Sequence, residues 1–250
     1  MPYGLYISAE GAQVQSRRLE VIANNIANVD TVGFKRDLAV MQSRYAEAIE
    51  RGTASPGTGT INDVGGGVQF HETVVDFSPG PLRKTGISSD VALQGDGFFV
   101  VQKGQERLLT RAGNFRLTAA GDLVTQQGYA VLGEGNSPVK VSPTAGPWEI
   151  DASGSVTQGS TKQDLLIAKP ASLGDLVKVG ENLFRSLTDA KPVAPGERAV
   201  SGGYLEMSAV QPTTEMTTMI ETSRLIEANI NVMKAHNQML EGLIGRVLKA

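Results

Sequence analysis

From Thr213 onward the chain contains no proline, and glycine occurs only at Gly242 and Gly245. Within this run Met219, Ile226, Met233, Leu240 and Val247 recur every seven residues, and Met216, Ser223, Ile230, Asn237 and Ile244 form a second row with the same spacing. Alternating steps of three and four are the seam pattern of a coiled coil. The pattern predicts a helix that starts after Pro212, is capped by Thr213 or Thr214, and runs to Lys249. Such a helix would be roughly 50 Å long at about 1.5 Å per residue. Ser223 and Asn237 place polar groups in the seam. They either fix register and partner number or mark a wet, weak stretch. At the other terminus, Tyr3 to about Ala27 is free of proline, and Leu5, Ala9, Ala12, Ser16, Leu19, Ala23 and Ile26 follow a four-three alternation. Its alanines and serine make a narrow stripe that another helix can approach closely. The two terminal helices are therefore expected to pack on each other and still leave surface for neighbours. The alternative is that the long C-terminal helix is spent in an intramolecular bundle.

The texture changes between the ends. Residues 37–78 open with a possible short helix around Leu38–Glu50 and continue through Gly52–Gly59 and Gly65–Gly67 in linker composition. From Val91 to Val210, short apolar runs alternate with turn signals about every ten residues. Phe98–Val101, Leu123–Val124, Tyr129–Leu132, Val139–Val141 and Leu165–Ile167 are the strand candidates. Gly95–Gly97, Ala120–Asp122, Gly133–Asn136 and Ser153–Ser155 are the turns between them. The predicted class is α+β: long N- and C-terminal helices forming a coiled-coil-like pair, with an inserted antiparallel β domain. The expected organisation is a helical domain from 1–36 plus 212–250, an extended linker over 37–78, and a β domain over 79–211.

Composition excludes several functions. Hydrophobic residues make up 40% and charged residues 20%, values of a folded protein. The net charge of −3 offers no basic surface for nucleic acid. No apolar run is long enough for a transmembrane helix. With no cysteine, disulfides and thiolate metal sites are unavailable. Met1–Leu5 does not begin a Sec-type signal sequence. Candidate chemistry is thin. His71 and His236 lack metal-ligand spacing. Asp90 and Asp96 flank a strand but read as turn aspartates rather than a catalytic carboxylate pair. Gly65–Gly67 lacks the lysine and hydroxyl of a phosphate loop. Met207, Met216, Met219, Met233 and Met239 read as adaptable packing. No catalytic residue, metal or cofactor is expected.

Four stretches, in order, resemble the flagellar rod and hook family of axial proteins. They are Ala23–Arg36, with its asparagine-rich helix end and Thr31-Val32-Gly33-Phe34 turn; Ser78–Leu82 with Thr85-Gly86 and Asp90–Phe99; Thr110–Phe115 with Gly121–Thr125 and Gly128–Gly133; and Gly203–Ser208 leading to Glu215-Met216 and Met219-Ile220. The resemblance implies a rod subunit whose terminal helices form an inner tube with the β domain outside it. It further implies export through the flagellar type III apparatus without a cleaved signal peptide, a periplasmic place in the basal body, and copies of itself and other rod subunits as partners. The length resembles the proximal F- or distal G-type rod subunits rather than the hook protein. Ala209, Arg224–Glu227 and Asn237 depart from the family pattern and leave F against G open.

Asn24, Asn25 and Asn28 are poor helix formers, because their amides compete for backbone groups. Asn28 reads as a helix C-cap before a turn at Gly33. Asn24 and Asn25 are expected to bond the adjoining loop or a neighbouring subunit. With both seven-residue rows and the N-terminal stripe, these asparagines complete the expected subunit interface. The competing reading is a secreted β binding module on a coiled-coil stalk, which would need exposed aromatics from among Phe98, Phe99, Phe115, Tyr129 and Trp148.

Overall fold

The computed structural model describes residues 3–55, 57, 65–142 and 146–247. Two long helices lie at the ends: α1, Tyr3–Ala27, and α3, Pro212–Val247. After α1 come β1 (Arg36–Arg44), the single turn α2 (Glu47–Glu50) and β2 (Gly67–Asp76). Next are β3 (Leu82–Lys84), β4 (Val91–Leu93), β5 (Phe98–Lys103), β6 (Glu106–Thr110), β7 (Arg116–Leu117), β8 (Leu123–Val124) and β9 (Ala130–Val131). They are followed by β10 (Glu149–Ile150), β11 (Ser155–Gln158), β12 (Thr161–Asp164), β13 (Ile167–Lys169), β14 (Leu176–Gly180) and β15 (Leu183–Ser186). The last strands are β16 (Lys191–Pro192), β17 (Val200–Gly202) and β18 (Tyr204–Glu206). The α+β class is as expected. The chain divides into two compact units, one of residues 1–27, 37–76 and 211–250, the other of residues 28–36 and 77–210.

In the helical unit α1 packs on α3 and β2. A Cβ placed on Gly4 would meet His236 Nε2 at 3.0 Å, and one on Gly11 would meet Asn229 at 3.4 Å. Seven residues forward on α1 thus match seven backward on α3, so the helices are antiparallel. Of the linker expected over 37–78, the described residues 36–44 and 67–76 are strands, and the predicted helix around Leu38–Glu50 is reduced to α2. Most of that stretch is strand β1, paired with β2 in a two-stranded sheet. Arg44 explains the fixed geometry: its guanidinium donates to Glu10 of α1 at 3.0 Å and to Glu50 at 3.1 Å. Positions 56 and 58–64 of the predicted linker lie outside the described residues.

The β unit is built on a nine-stranded sheet with the path β14-β15-β6-β5-β9-β8-β7, joined by β13 and β16 at β5. Every register in it is antiparallel, for example Val101 opposite Leu108 and Phe184 opposite Leu109. Alternation puts Phe99, Val101, Leu108 and Leu183 on one face, where they pack with Phe115, Leu123 and Leu165. Of the strand candidates, Val139–Val141 is tied in only by isolated bridges, Asp122 to Lys140 and Leu132 to Pro138. Phe77, Phe98 and Phe184 cluster with ring centroids 5.4–5.9 Å apart.

Candidate functional site

The helical seam lies one position away from the one predicted. On α1 the covered positions are Ser8, Val14, Ile22 and Asn25, while Ala9, Ser16 and Ala23 are exposed and Leu5, Ala12, Leu19 and Ile26 are half-buried. On α3 the row Met219, Ile226, Met233 and Leu240 is half-buried as expected. Its companion is not Met216, Ile230, Asn237 and Ile244, which are exposed, with Ser223 half-buried. The companion row is polar: Glu215 and Thr222 are buried, and Asn229 and His236 are half-buried. The reason is steric. His236 and Asn229 lie against Gly4 and Gly11, where the missing side chains of α1 leave room for them. Val247 lies at the end of α3, and its side chain is outside the described set.

This shift exposes apolar surface on both sides of the covered stripe of α3. One flank carries Met216, Ile230 and Ile244; the other carries Leu225, Val232 and Met239. These six side chains are 37–59% exposed. The second flank escaped the sequence reading, although its members too are seven residues apart. Unpartnered apolar rows at this spacing are the signature of helix–helix association.

The predicted asparagines separate. Asn25 is buried, and its amide exchanges two hydrogen bonds with the backbone of Asp37: Nδ2 donates to the carbonyl at 2.8 Å and Oδ1 accepts from the N–H at 2.9 Å. It serves the adjoining strand inside the chain. Asn24 is exposed. Asn28 follows the last residue of α1 and accepts from the Thr31 hydroxyl at 3.1 Å, without the left-handed backbone of a C′ cap. Gly33, at the expected turn, takes a positive φ of +66°.

Between Asn25 and Asp37 the chain leaves the helical unit and returns, so that residues 28–36 belong to the β unit. Gly33 N–H donates to the Glu206 carbonyl at 2.7 Å, and the Phe34 carbonyl accepts from Ala209 N–H at 3.2 Å. Asn182 Nδ2 donates to Val32 O, and Lys178 Nζ donates to Lys35 O while lying 4.3 Å from the centre of the Phe34 ring. The Lys35 side chain is 1% exposed and donates to Glu206 Oε1 at 2.6 Å and to Ser78 O at 2.9 Å. Glu206 Oε1 also accepts from Gly80 N–H at 3.0 Å. Arg111 approaches Glu206 Oε2 at 3.5 Å and sits 5.0 Å above Phe98. Burial pulls the Arg111 guanidinium below its usual value, with Glu206 and Asp96 opposing. Glu206 faces both buried cations, so losing it would remove a countercharge from each. The motif residues themselves were legible; their meeting in one buried cluster was not.

Three segments match known families. Residues 5–35 match the flagella basal body rod protein family, 92–158 the flagellar hook protein FlgE/F/G D1 domain, and 201–245 the flagellar basal body rod FlgEFG protein C-terminal family. Over 250 residues the chain is 31% identical to flagellar basal-body rod protein FlgF of Caulobacter vibrioides, covering 100% of this chain and 99% of that one. It belongs to the flagellar basal-body rod protein family. It is also 32% identical to flagellar basal-body rod protein FlgG of Bacillus subtilis, and 35% identical to that of Buchnera aphidicola subsp. Schizaphis graminum. Each alignment covers 96% of this chain and 97% of the relative. In this rod-family chain the buried cluster draws Lys35, Arg111 and Glu206 from the three matched segments in turn. Membership makes the chain a structural subunit of the flagellar basal body.

The aromatics needed by a β binding module are not available as a platform. Phe98, Phe99 and Phe115 are buried, and Tyr129 and Trp148 pack partly against the core. Asp96 is exposed and accepts from Lys169 Nζ at 2.7 Å, which holds its carboxyl below the usual range. Asp90 is buried and forms an isolated β-bridge with Asn114, just after the turn at 88–89, with its carbonyl accepting from Gly203 N–H. His71 is exposed on β2, and His236 lies in the α1–α3 seam.

Proposed function

We propose that this rod subunit polymerises through its terminal helices into a helical tube that transmits torque to the hook. Copies of itself and other rod subunits are its partners. The observation that carries the reading is the pair of exposed apolar rows on α3, left uncovered on either side of the α1 contact. A neighbour's helix laid along each flank would bury them, and repeated contacts that do not close yield a helical polymer. The expected interface residues keep their role here where they are exposed: Met216, Ile230, Asn237 and Ile244 on α3, and Ala9, Ser16, Ala23 and Asn24 on α1. The β domain supplies lateral contacts outside the tube. Export by the flagellar type III apparatus without signal cleavage, and a periplasmic position, follow from the same reading, as does a role without catalysis. Domain assignments follow the two units, with 37–76 joined to the terminal helices. Cryo-microscopy of basal bodies from a strain lacking this chain is expected to find the rod lost or shortened. Full-length rods in swimming cells would overturn the proposal.

A further inference from the structure

The chain passes between its two units at 27/28, 36/37, 76/77 and 210/211. Three of these passages meet inside the β unit at one carboxylate. Glu206 binds Lys35 of the first excursion, Gly80 just after the third passage and, by its main chain, Gly33; Lys35 in turn binds Ser78. Lys35 and Glu206 are 171 residues apart in sequence, and both side chains are 1% exposed. Ala209 N–H on the outgoing strand bonds Phe34 O, and Met207 N–H bonds Pro81 O.

We infer that, once α1 and α3 are drawn apart, the Lys35–Glu206 clasp carries the tension between the two ends of the chain and shields what is folded between residues 35 and 206. Tension on α1 reaches residue 35, and tension on α3 reaches residue 206. While the clasp holds, residues 36–205 lie in a closed loop that adds no length to the stretched chain. The pair is closed off from water, and Arg111 lies 3.5 Å from the second carboxylate oxygen. Tension along the chain would also load the 33–206 and 34–209 backbone bonds side by side with the ion pair, so that they must yield together. The inference rests on the rod reading only for the origin of the force.

The native chain has no cysteine, so handles can be placed by Tyr3→Cys and Val247→Cys in the full-length protein and pulled in an optical trap. Residues 3–34 and 207–247 together supply roughly 250 Å of extended chain at about 3.5 Å per residue. The hidden loop supplies roughly 600 Å more by the same measure. The wild type should give no more than the first length before one high-force event opens the loop. In Glu206→Gln that event should move to lower force. Release of loop length before the event in the wild type overturns the inference whether or not the variant folds, and so does an unchanged rupture force in a folded variant. A deletion strain with normal rods would sink the rod reading and leave these traces as they are.

Discussion

Replacing Gly33 by alanine tests how tightly the 28–36 excursion is seated. Gly33 has φ +66°, which costs a residue with a Cβ about 1–2 kcal/mol. The added Cβ would lie 2.5 Å from the carbonyl carbon of Arg111 and 2.6 Å from Ala112 N. Both are backbone atoms that cannot rotate away, and overpacking of this kind costs about 1–3 kcal/mol. Displacing the segment weakens the Gly33–Glu206 hydrogen bond, worth about 1 kcal/mol. The total is roughly 3–6 kcal/mol, a large part of the ~5–15 kcal/mol that holds a domain together. Gly86 is the control: its φ is +71° and a Cβ there meets nothing within 4 Å. Gly86→Ala therefore carries the backbone cost alone, about 1–2 kcal/mol. Trp148, the only tryptophan, packs against the core of the β unit, so its fluorescence during urea unfolding reports that unit directly. Gly33→Ala should lower stability by about 2–4 kcal/mol more than Gly86→Ala. Equal midpoints and slopes for the two variants would refute the close approach to Arg111.

Asn25→Ala should destabilise the helical unit by about 2–4 kcal/mol, since it removes both hydrogen bonds that the buried amide makes to the Asp37 backbone. Helix circular dichroism should register the loss while Trp148 fluorescence stays put; an unchanged helix transition would argue against the pairing. Met216→Ser combined with Ile230→Ser should leave the thermal transition of the free chain within about 0.5 kcal/mol, as surface changes do. The same variant should fail to restore swimming in a deletion strain, and full restoration would remove that flank from the interface. Burial raises the Asp151 carboxyl, but hydrogen bonds from the Ser153 hydroxyl and the Ser155 and Ser153 N–H groups outweigh it and set the group below the ordinary range. A lowered native pKa contributes stability above the unfolded value of about 4 and loses it as pH falls through the native value. The gap in stability between wild type and Asp151→Asn should therefore be full at pH 6 and close at acid pH; a gap independent of pH in an acid titration would contradict the assignment.

Hydrophobic periodicity alone determined that both ends are long helices with apolar stripes, and turn spacing determined an antiparallel β middle. Ordered motif segments determined the family. These are local signals, written in residues close together in the chain. Which rows of α3 face α1 was a tertiary decision. Three rows carry apolar residues, and hydrophobicity cannot rank them; the α1 contact takes one of them together with the polar row of Glu215, Thr222, Asn229 and His236. The 37–76 ribbon was equally hidden, because its strand is fixed by Arg44 reaching Glu10 on another element. Lys35 and Glu206 look like surface residues in the sequence, and Asn25 reads there only as bonding the adjoining loop or a neighbouring subunit. They are buried because partners 12 and 171 residues away satisfy their polar groups, and only the folded chain brings those partners within reach.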